Sequence, residues 1–169
     1  MKIHNICLYG ILGALTFILK LIMAPLPNIE PVSLLLIVYT IALGWNVIYP
    51  LSAYVILEII VYGFGIWSVG YLYIWVVLVA IVITIRKITD SLNSLLWAIV
   101  SGIYGIMIGI LYIPLYFVTS GATTALSWWI SGIPYDALHG IANFVLCLVL
   151  FKPITNILFR LGKQYKIND

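Results

Sequence analysis

Charged residues are scarce in this sequence. Asp, Glu, Lys and Arg make up 8% of the 169 residues, apolar residues make up 64%, and the mean hydropathy is +1.20. Soluble domains carry about 25% charged residues, so the composition excludes an ordinary water-soluble protein. Apolar runs long enough to cross a bilayer recur along the chain. We therefore predict an all-α integral membrane protein, with a single domain over residues 1–169 that forms a bundle of six transmembrane helices.

Other features that the sequence lacks exclude several classes of function. The two cysteines, Cys7 and Cys147, lie in apolar runs and show neither metal-ligand nor disulfide-framework spacing. No GxxxxGK[ST] phosphate loop occurs, so any ATP hydrolysis belongs to a partner, and no cofactor or metal is predicted for this chain. The net charge of +3 comes from bases near helix ends, which is typical of membrane orientation rather than nucleic-acid binding. Lys20 interrupts the first apolar run, which argues against a cleaved signal peptide.

Turn-forming residues divide the chain into six predicted helices. Breaks are predicted at "APLPNIEP", "GWN", "GFGIWSVG", "RKITDSLN" and "TSGATTALSWWISG". The second helix is short, which favours a buried or tilted segment over a full lipid-facing span. The predicted helices cover residues 6–24, 32–44, 47–64, 69–86, 93–118 and 134–151.

Basic residues predict the orientation. Six spans place both termini on one side, and Lys20 is then the one basic residue near the opposite face. Because Lys and Arg are enriched on the cytoplasmic side, both termini are predicted to be cytoplasmic, in a prokaryotic plasma membrane. The connections on the outer side then contain Glu30, Trp67, Tyr71, Trp128 and Trp129.

Three polar side chains share one face of the sixth helix, in "GIPYDALHGIANF". In a helix that begins at Pro134, Asp136, His139, Gly140 and Asn143 follow the i, i+3, i+4, i+7 pattern. An ionisable group in hydrocarbon costs at least about 2.5 kcal/mol, so this face is predicted to meet a partner helix or a wet cavity. Gly140 leaves a gap in the face for another helix or a small ligand.

Each polar residue also has a structural interpretation. Asp136, in the first turn of such a helix, would be favoured by the helix dipole and the free N–H groups. His139 and Asn143 could form hydrogen bonds between helices. Glu58, in the middle of the third helix, could bind a ligand or pair internally with Lys20 or His139.

Aromatic and small residues give weaker signals. Trp and Tyr near the outer helix ends are typical of an interfacial belt, and two or three could stack on a flat heteroaromatic solute. Small residues four positions apart, Gly10 with Ala14 and Gly105 with Gly109, predict close helix packing.

Several stretches together resemble the substrate-binding S component of an energy-coupling factor (ECF) type ABC importer. They are "YGILGALT", "APLPNIEPVSLLLIVYTIALG", "YGFGIW", "YLYIW" and "GIPYDALHGIANF", and the likeness spans nearly the whole chain. The resemblance implies a membrane subunit that captures a vitamin or vitamin precursor from outside. It also implies docking on a module of one transmembrane coupling protein and two ATPase subunits, which use the ATP.

The resemblance also implies roles for particular residues. In the family, helices 4 to 6 and the loops on the outer side form the solute pocket, and the first of these loops acts as a gate. The implied solute-binding residues are Asp136, His139, Asn143, Trp67, Tyr71, Trp128, Trp129 and the loop residue Glu30, with Glu58 as a further candidate. Many members carry an alanine-rich motif on helix 1 that packs on the coupling protein. The residues here are Gly10, Gly13 and Ala14, so the glycines depart from that pattern.

The charged residues near the implied pocket restrict the chemical class of the predicted solute. Carboxylates at 30, 58 and 136 outnumber the single Lys20 near the implied pocket, so an anionic solute would be repelled. A neutral or cationic heteroaromatic solute, such as a vitamin B6 form or the thiamine pyrimidine, is favoured over folate or pantothenate.

Two other classes of function compete with this prediction. An intramembrane aspartyl protease needs a second aspartate to share a proton, and no GxGD-like motif, GxSxG elbow or HExxH helix occurs. We therefore predict that the protein is not an enzyme. A structural or assembly subunit would instead cover the polar face of the sixth helix with a neighbouring helix and leave no pocket.

Overall fold

The computed structural model describes residues 3–165, with side chains as far as Leu161, and the described part is mainly helical. A 3₁₀ turn, Gly44–Val47, joins the second helix to the third, and no strand occurs in the described range. The α-helices are α1 (Ile3–Met23), α2 (Val32–Leu43), α3 (Ile48–Tyr62), α4 (Ile66–Ile88), α5 (Ser94–Ser120) and α6 (Ala122–Tyr165). The prediction of an all-α protein is confirmed.

Five segments of the described chain are long and apolar enough to cross a membrane. Four of them lie in α1, α4, α5 and α6, and the fifth, Val32–Tyr62, combines α2, the 3₁₀ turn and α3. With 12 residues α2 alone is about 18 Å long, which is shorter than a hydrocarbon core of about 30 Å. The fold is therefore compatible with a multi-pass membrane protein, whereas six separate crossings and a common side for both termini stay predictions.

The short helix α2 forms the centre of the bundle. Its sequence, VSLLLIVYTIAL, is apolar on nearly every side, and every residue of the range 32–40 is buried. A helix without a polar face requires neighbours all round, and α2 contacts α4 and α6 most, with α1 and α5 at its flanks. The interpretation of this segment as buried rather than lipid-facing is thus confirmed.

α1 packs closely against α3 because Gly13 has no side chain. A Cβ added at Gly13 would lie 2.7 Å from the carbonyl oxygen of Pro50 and 2.6 Å from the Cβ of Ala53. Both distances are shorter than normal van der Waals contact, so the two backbones approach as near as they can at this point.

α6 begins at Ala122 rather than at Pro134, so the predicted sixth helix was wrong at its start. The stretch "TSGATTALSWWISG" is helical except at Gly121, whose φ of +83° ends α5 and reverses the chain. α6 then runs back along α5, and the ring of Trp128 stacks on that of Tyr116 with 4.3 Å between centroids. This tertiary contact favours helix in a stretch whose polar composition had predicted a loop.

The early start of α6 corrects the interpretation of three residues. Asp136 lies 14 positions after Ala122, about 21 Å along the axis, so it is not in the first turn and does not cap the helix. Trp128 and Trp129 belong to α6 and not to a connection. The whole of α6, 44 residues or about 66 Å, is about twice as long as the hydrocarbon core is thick.

Trp67 and Tyr71 were also predicted in a connection, and the structure places both in α4. The helix begins at Ile66 because Ser68 Oγ accepts a hydrogen bond from the N–H of Gly65 at 2.9 Å and donates one to the carbonyl of Gly65. This local cap satisfies backbone groups that the first helical turn leaves free, and it moves the helix start ahead of the predicted residue 69.

Candidate functional site

Glu58 forms an ion pair with Lys20 that joins α3 to α1. Oε2 of Glu58 lies 2.7 Å from Nζ of Lys20, and the Glu58 side chain is only 2% exposed. Nζ also donates a hydrogen bond to the hydroxyl of Tyr71 at 3.1 Å and lies 4.9 Å from the centroid of that ring. Of the alternatives for Glu58, the structure therefore shows internal pairing, with Lys20 and not with His139.

His139 faces Glu30 instead. Nε2 of His139 lies 3.5 Å from Oε1 of Glu30, and their side chains are 10% and 12% exposed. Glu30 belongs to the connection between α1 and α2, whereas His139 belongs to α6. The contact therefore links the first connection of the chain to the middle of the last helix, which are more than 100 residues apart in sequence.

Asn143 joins α6 to the central helix. Its Nδ2 donates a hydrogen bond to Oγ of Ser33 at 3.0 Å, and both residues are buried. This is the interhelical hydrogen bond that had been the structural alternative for Asn143. The amide therefore has a partner inside the bundle and does not line the cavity described below.

We predict that Asn143→Ala and Ser33→Ala each destabilise the protein by about 1 kcal/mol, because each removes the same buried hydrogen bond. The double variant should lose little more than either single variant. The measurement is thermal unfolding in mild detergent, and additive losses would show that the two residues act independently.

The gap left by Gly140 is occupied by α5. A Cβ at Gly105 would lie 2.9 Å from Cα of Gly140, and a Cβ at Gly140 would lie 2.8 Å from the carbonyl oxygen of Gly102. Gly109 lies one turn further along α5, directly against the carboxylate of Asp136. The predicted close packing of the small residues in α5 is confirmed, and a helix rather than a ligand covers this part of the α6 face.

A cavity of about 360 Å³ lies beside the remaining part of that face. Asp136 and His139 contribute its polar groups from α6, and Asn28 contributes another from the connection between α1 and α2. Tyr112 and Trp128 form an aromatic wall, with ring centroids 5.7 Å apart in an edge-to-face arrangement. Apolar and aromatic walls with a few placed polar groups are typical of small-molecule sites. The full lining consists of Asn28, Ile108, Tyr112, Trp128, Ser131, Gly132, Tyr135, Asp136 and His139.

The other predicted aromatic residues do not line this cavity. Trp67 and Tyr71 continue a column of rings along α4 to Trp75, with centroid distances of 5.4 and 5.5 Å. The nearest link of Trp67 to the cavity is through its backbone, because the hydroxyl of Tyr112 donates to the Trp67 carbonyl at 3.1 Å. Trp129 is half-buried on α6.

Sequence reasoning missed part of the cavity lining. Trp128, Ser131, Tyr135 and His139 follow one another at intervals of three or four residues on α6, which places them on one helix face. The periodicity is present in the sequence, but it was hidden by the prediction that residues before Pro134 form a loop. A helix assigned from Ala122 would have revealed the whole stripe.

The three residues implied for partner docking fall on different surfaces of α1. Gly10 is exposed, and no atom lies within 4 Å of a Cβ added there. Gly13 is buried against α3, and Ala14 is half-buried. A docking surface on this helix would therefore consist of Gly10 and its exposed neighbours, with Gly13 serving the packing inside the protein.

Several buried polar atoms around the cavity and the Lys20–Glu58 pair have no hydrogen-bond partner among the described residues. Buried polar atoms without partners are rare in folded proteins, so each one calls for a physical explanation such as a bound water or ion. The unpartnered atoms are Oε1 of Glu30, Oε1 of Glu58, the hydroxyl of Tyr54, Oδ2 of Asp136 and Nε2 of His139.

This arrangement favours binding of a small solute. Carboxylate oxygens accept hydrogen bonds, the imidazole of His139 can donate or accept one, and the rings of Tyr112 and Trp128 offer flat surfaces for stacking. Comparisons of the chain with known protein families, with curated proteins and with solved structures returned no match.

Proposed function

We propose that this protein is the membrane-embedded, solute-binding subunit of an ECF-type importer. In this proposal it captures a vitamin or vitamin precursor from outside the cell and delivers it inward after docking on a coupling protein with two ATPases. The observation that carries the proposal is the cavity lined by Asp136, His139, Tyr112 and Trp128, because it combines aromatic walls with buried polar atoms inside a chain of apolar helices.

The finer predictions belong to this proposal. They are a bundle of six transmembrane helices with both termini cytoplasmic, a multi-pass location in a prokaryotic plasma membrane, no catalytic activity of the chain itself, and ATP used only by the partners. The solute is a neutral or cationic heteroaromatic compound, and a B6 form or the thiamine pyrimidine suits the charge of the site better than an anion.

The first test is mass spectrometry of small molecules released from the full chain purified in mild detergent. A vitamin-like compound retained at a stoichiometry near one supports the proposal and identifies the solute. An empty protein that also shows no thermal shift with a vitamin panel would favour a structural subunit. One observation favours a structural subunit: α5 covers Gly140, so a helix occupies part of the polar face of α6.

We predict that Asp136→Asn and His139→Ala abolish solute retention without unfolding the protein, because both side chains line the cavity. Retention is measured on the purified variants by the same mass spectrometry, and folding is measured by thermal unfolding and gel filtration. Variants that unfold, or that retain the solute fully, would contradict this assignment.

A variant on α1 tests whether this helix docks on the coupling protein. Gly10→Leu adds an exposed side chain where there is open space, so it should leave solute retention intact and lower cellular uptake with the coupling module present. Unchanged uptake would show that this part of α1 does not contact the coupling protein.

A further inference from the structure

We propose that the cavity takes an organic cation rich in N–H donors, of the amidinium or aminopyrimidinium class, with Asp136 as its counter-ion and His139 as a second acceptor. The inference rests on the proposed function and deepens it by naming the charge and the donor pattern of the solute. It follows from three features of the site: the balance of charge, the arrangement of acceptors and the aromatic wall.

The balance of charge leaves two carboxylates without a permanent cation. Lys20 balances Glu58 at 2.7 Å, and Arg86 pairs with Asp90 at the far end of α4. Among the side chains that the structure describes, no ion pair joins Glu30 or Asp136 to a lysine or an arginine.

The ionisable group between these two carboxylates is His139. It lies 3.5 Å from Glu30 and three positions along α6 from Asp136, and His139 and Asp136 line the same cavity. These two carboxyl groups and one imidazole include no group with a permanent positive charge. Because uncompensated charge is costly inside a membrane protein, a cationic solute would stabilise the site and an anionic solute would be repelled.

The acceptors have a defined arrangement. The imidazole of His139 accepts a hydrogen bond through whichever ring nitrogen carries no proton. Oδ2 of Asp136 packs against Gly109 of α5, and the Asp136 side chain also lines the cavity. Asp136 and His139 are three positions apart on one helix and line the same cavity, so a carboxylate and an imidazole can contact one solute. An amidinium-like group offers two N–H donors at a fixed spacing, which suits such a pair.

The aromatic wall is consistent with a flat cation. Tyr112, Trp128 and Tyr135 line the cavity that Asp136 enters, and the face of an aromatic ring attracts a cation. Tyr112 and Trp128 are already held edge to face at 5.7 Å, so these two rings form a stable surface before any solute binds. The volume of about 360 Å³ is enough for a compound of one or two rings.

Three probes of nearly equal shape test the charge of the solute. Benzamidine is a cation at neutral pH, benzamide is neutral and benzoate is an anion. Each is titrated against the full chain in mild detergent, and binding is followed by tryptophan fluorescence and by the shift in unfolding temperature. We expect benzamidine to bind about tenfold tighter than benzamide, because a hydrogen bond to a charged group is stronger than a neutral one, and benzoate not to bind.

Variants show which side chain causes the preference for benzamidine over benzamide. Asp136→Asn keeps the shape of the side chain and should reduce the preference for benzamidine over benzamide to less than about threefold. Asp90→Asn is the control, since the side chain of Asp90 is 96% exposed beside Arg86, and it should keep the full preference. If Asp136→Asn does not fold, Glu30→Gln serves as the second variant and should reduce the ratio of benzamidine affinity to benzamide affinity severalfold.

The outcomes separate this inference from the proposed function. Equal binding of benzamidine and benzamide, or a preference that survives in a folded Asp136→Asn variant, overturns the inference and leaves a solute-binding subunit in place. Absence of binding by all three probes also overturns it, and the mass spectrometry of retained compounds then decides the proposed function separately. A retained solute that is an anion would overturn the inference and support the function.

Discussion

Replacement of Lys20 by methionine is expected to destabilise the protein by about 3 kcal/mol or more. The variant leaves Glu58 as an unpaired carboxylate that is only 2% exposed, and removal of one partner from a buried ion pair is strongly destabilising. Lys20 also donates to the hydroxyl of Tyr71 and lies over its ring, so a hydrogen bond and a cation–π contact are lost in addition. The measurement is reversible denaturation or thermal unfolding in mild detergent.

A double variant distinguishes the cost of an unpaired charge from the loss of packing. Lys20→Met combined with Glu58→Leu removes both charges, so it should recover most of the stability that Lys20→Met loses. Asp90→Ala is the matched control, because it breaks a pair with Arg86 at 3.3 Å whose acidic member is almost fully exposed, and no measurable change is expected. A single variant at Lys20 as stable as the parent would show that Glu58 does not depend on this pair.

Substitution of Gly105 by alanine is expected to destabilise the contact between α5 and α6 by about 1–3 kcal/mol. The new Cβ would lie 2.9 Å from Cα and 3.0 Å from the backbone nitrogen of Gly140, and neither atom can rotate away. It would also press on Nδ2 of Asn143 at 2.9 Å. The helices must therefore separate at a point between Asp136 and Asn143, and we expect loss of the retained solute together with a lower unfolding temperature.

Gly10→Ala is the control for this substitution. The position is helical and exposed, with no atom within 4 Å of the added Cβ, so the variant should be unchanged or more stable by up to about 1 kcal/mol. Equal stability of the two alanine variants would contradict the close contact of α5 with α6. Loss of solute from Gly105→Ala without loss of stability would indicate that the helix contact positions Asp136 rather than holding the fold.

The existence of the helices was predictable because it depends on local composition. Long apolar runs and turn residues predicted the helices, although α6 begins earlier and ends later than predicted, and the short length of the second apolar segment predicted the burial of α2. The start of α6 was not predictable in this way. Polar residues in the range 119–132 have weak local preference for helix, and the stacking of Trp128 on Tyr116 that supports the helix involves a different part of the chain.

In the candidate site, too, the sequence predicted the shared helix face but not the contacts of its residues. The shared face of Asp136, His139 and Asn143 follows from spacing alone, and the structure keeps all three on one helix. Spacing contains no information on their partners. Asn143 hydrogen-bonds to Ser33 on α2, His139 faces Glu30 from a connection, and Asp136 lies against Gly109 on α5, so three neighbouring residues have three different environments.

The sequence by itself determined that this protein is helical, that several of its segments are apolar enough to cross a membrane, and that a few polar groups lie among them. These properties depend on composition and on the periodicity of 3.6 residues per turn, which a single segment contains. Only the tertiary structure decided that Lys20 pairs with Glu58, that α5 fills the gap at Gly140, and that a cavity lies beside Asp136 and His139. The physical reason is that each of these outcomes depends on how closely distant helices approach, which the glycines permit and which packing across the whole bundle sets.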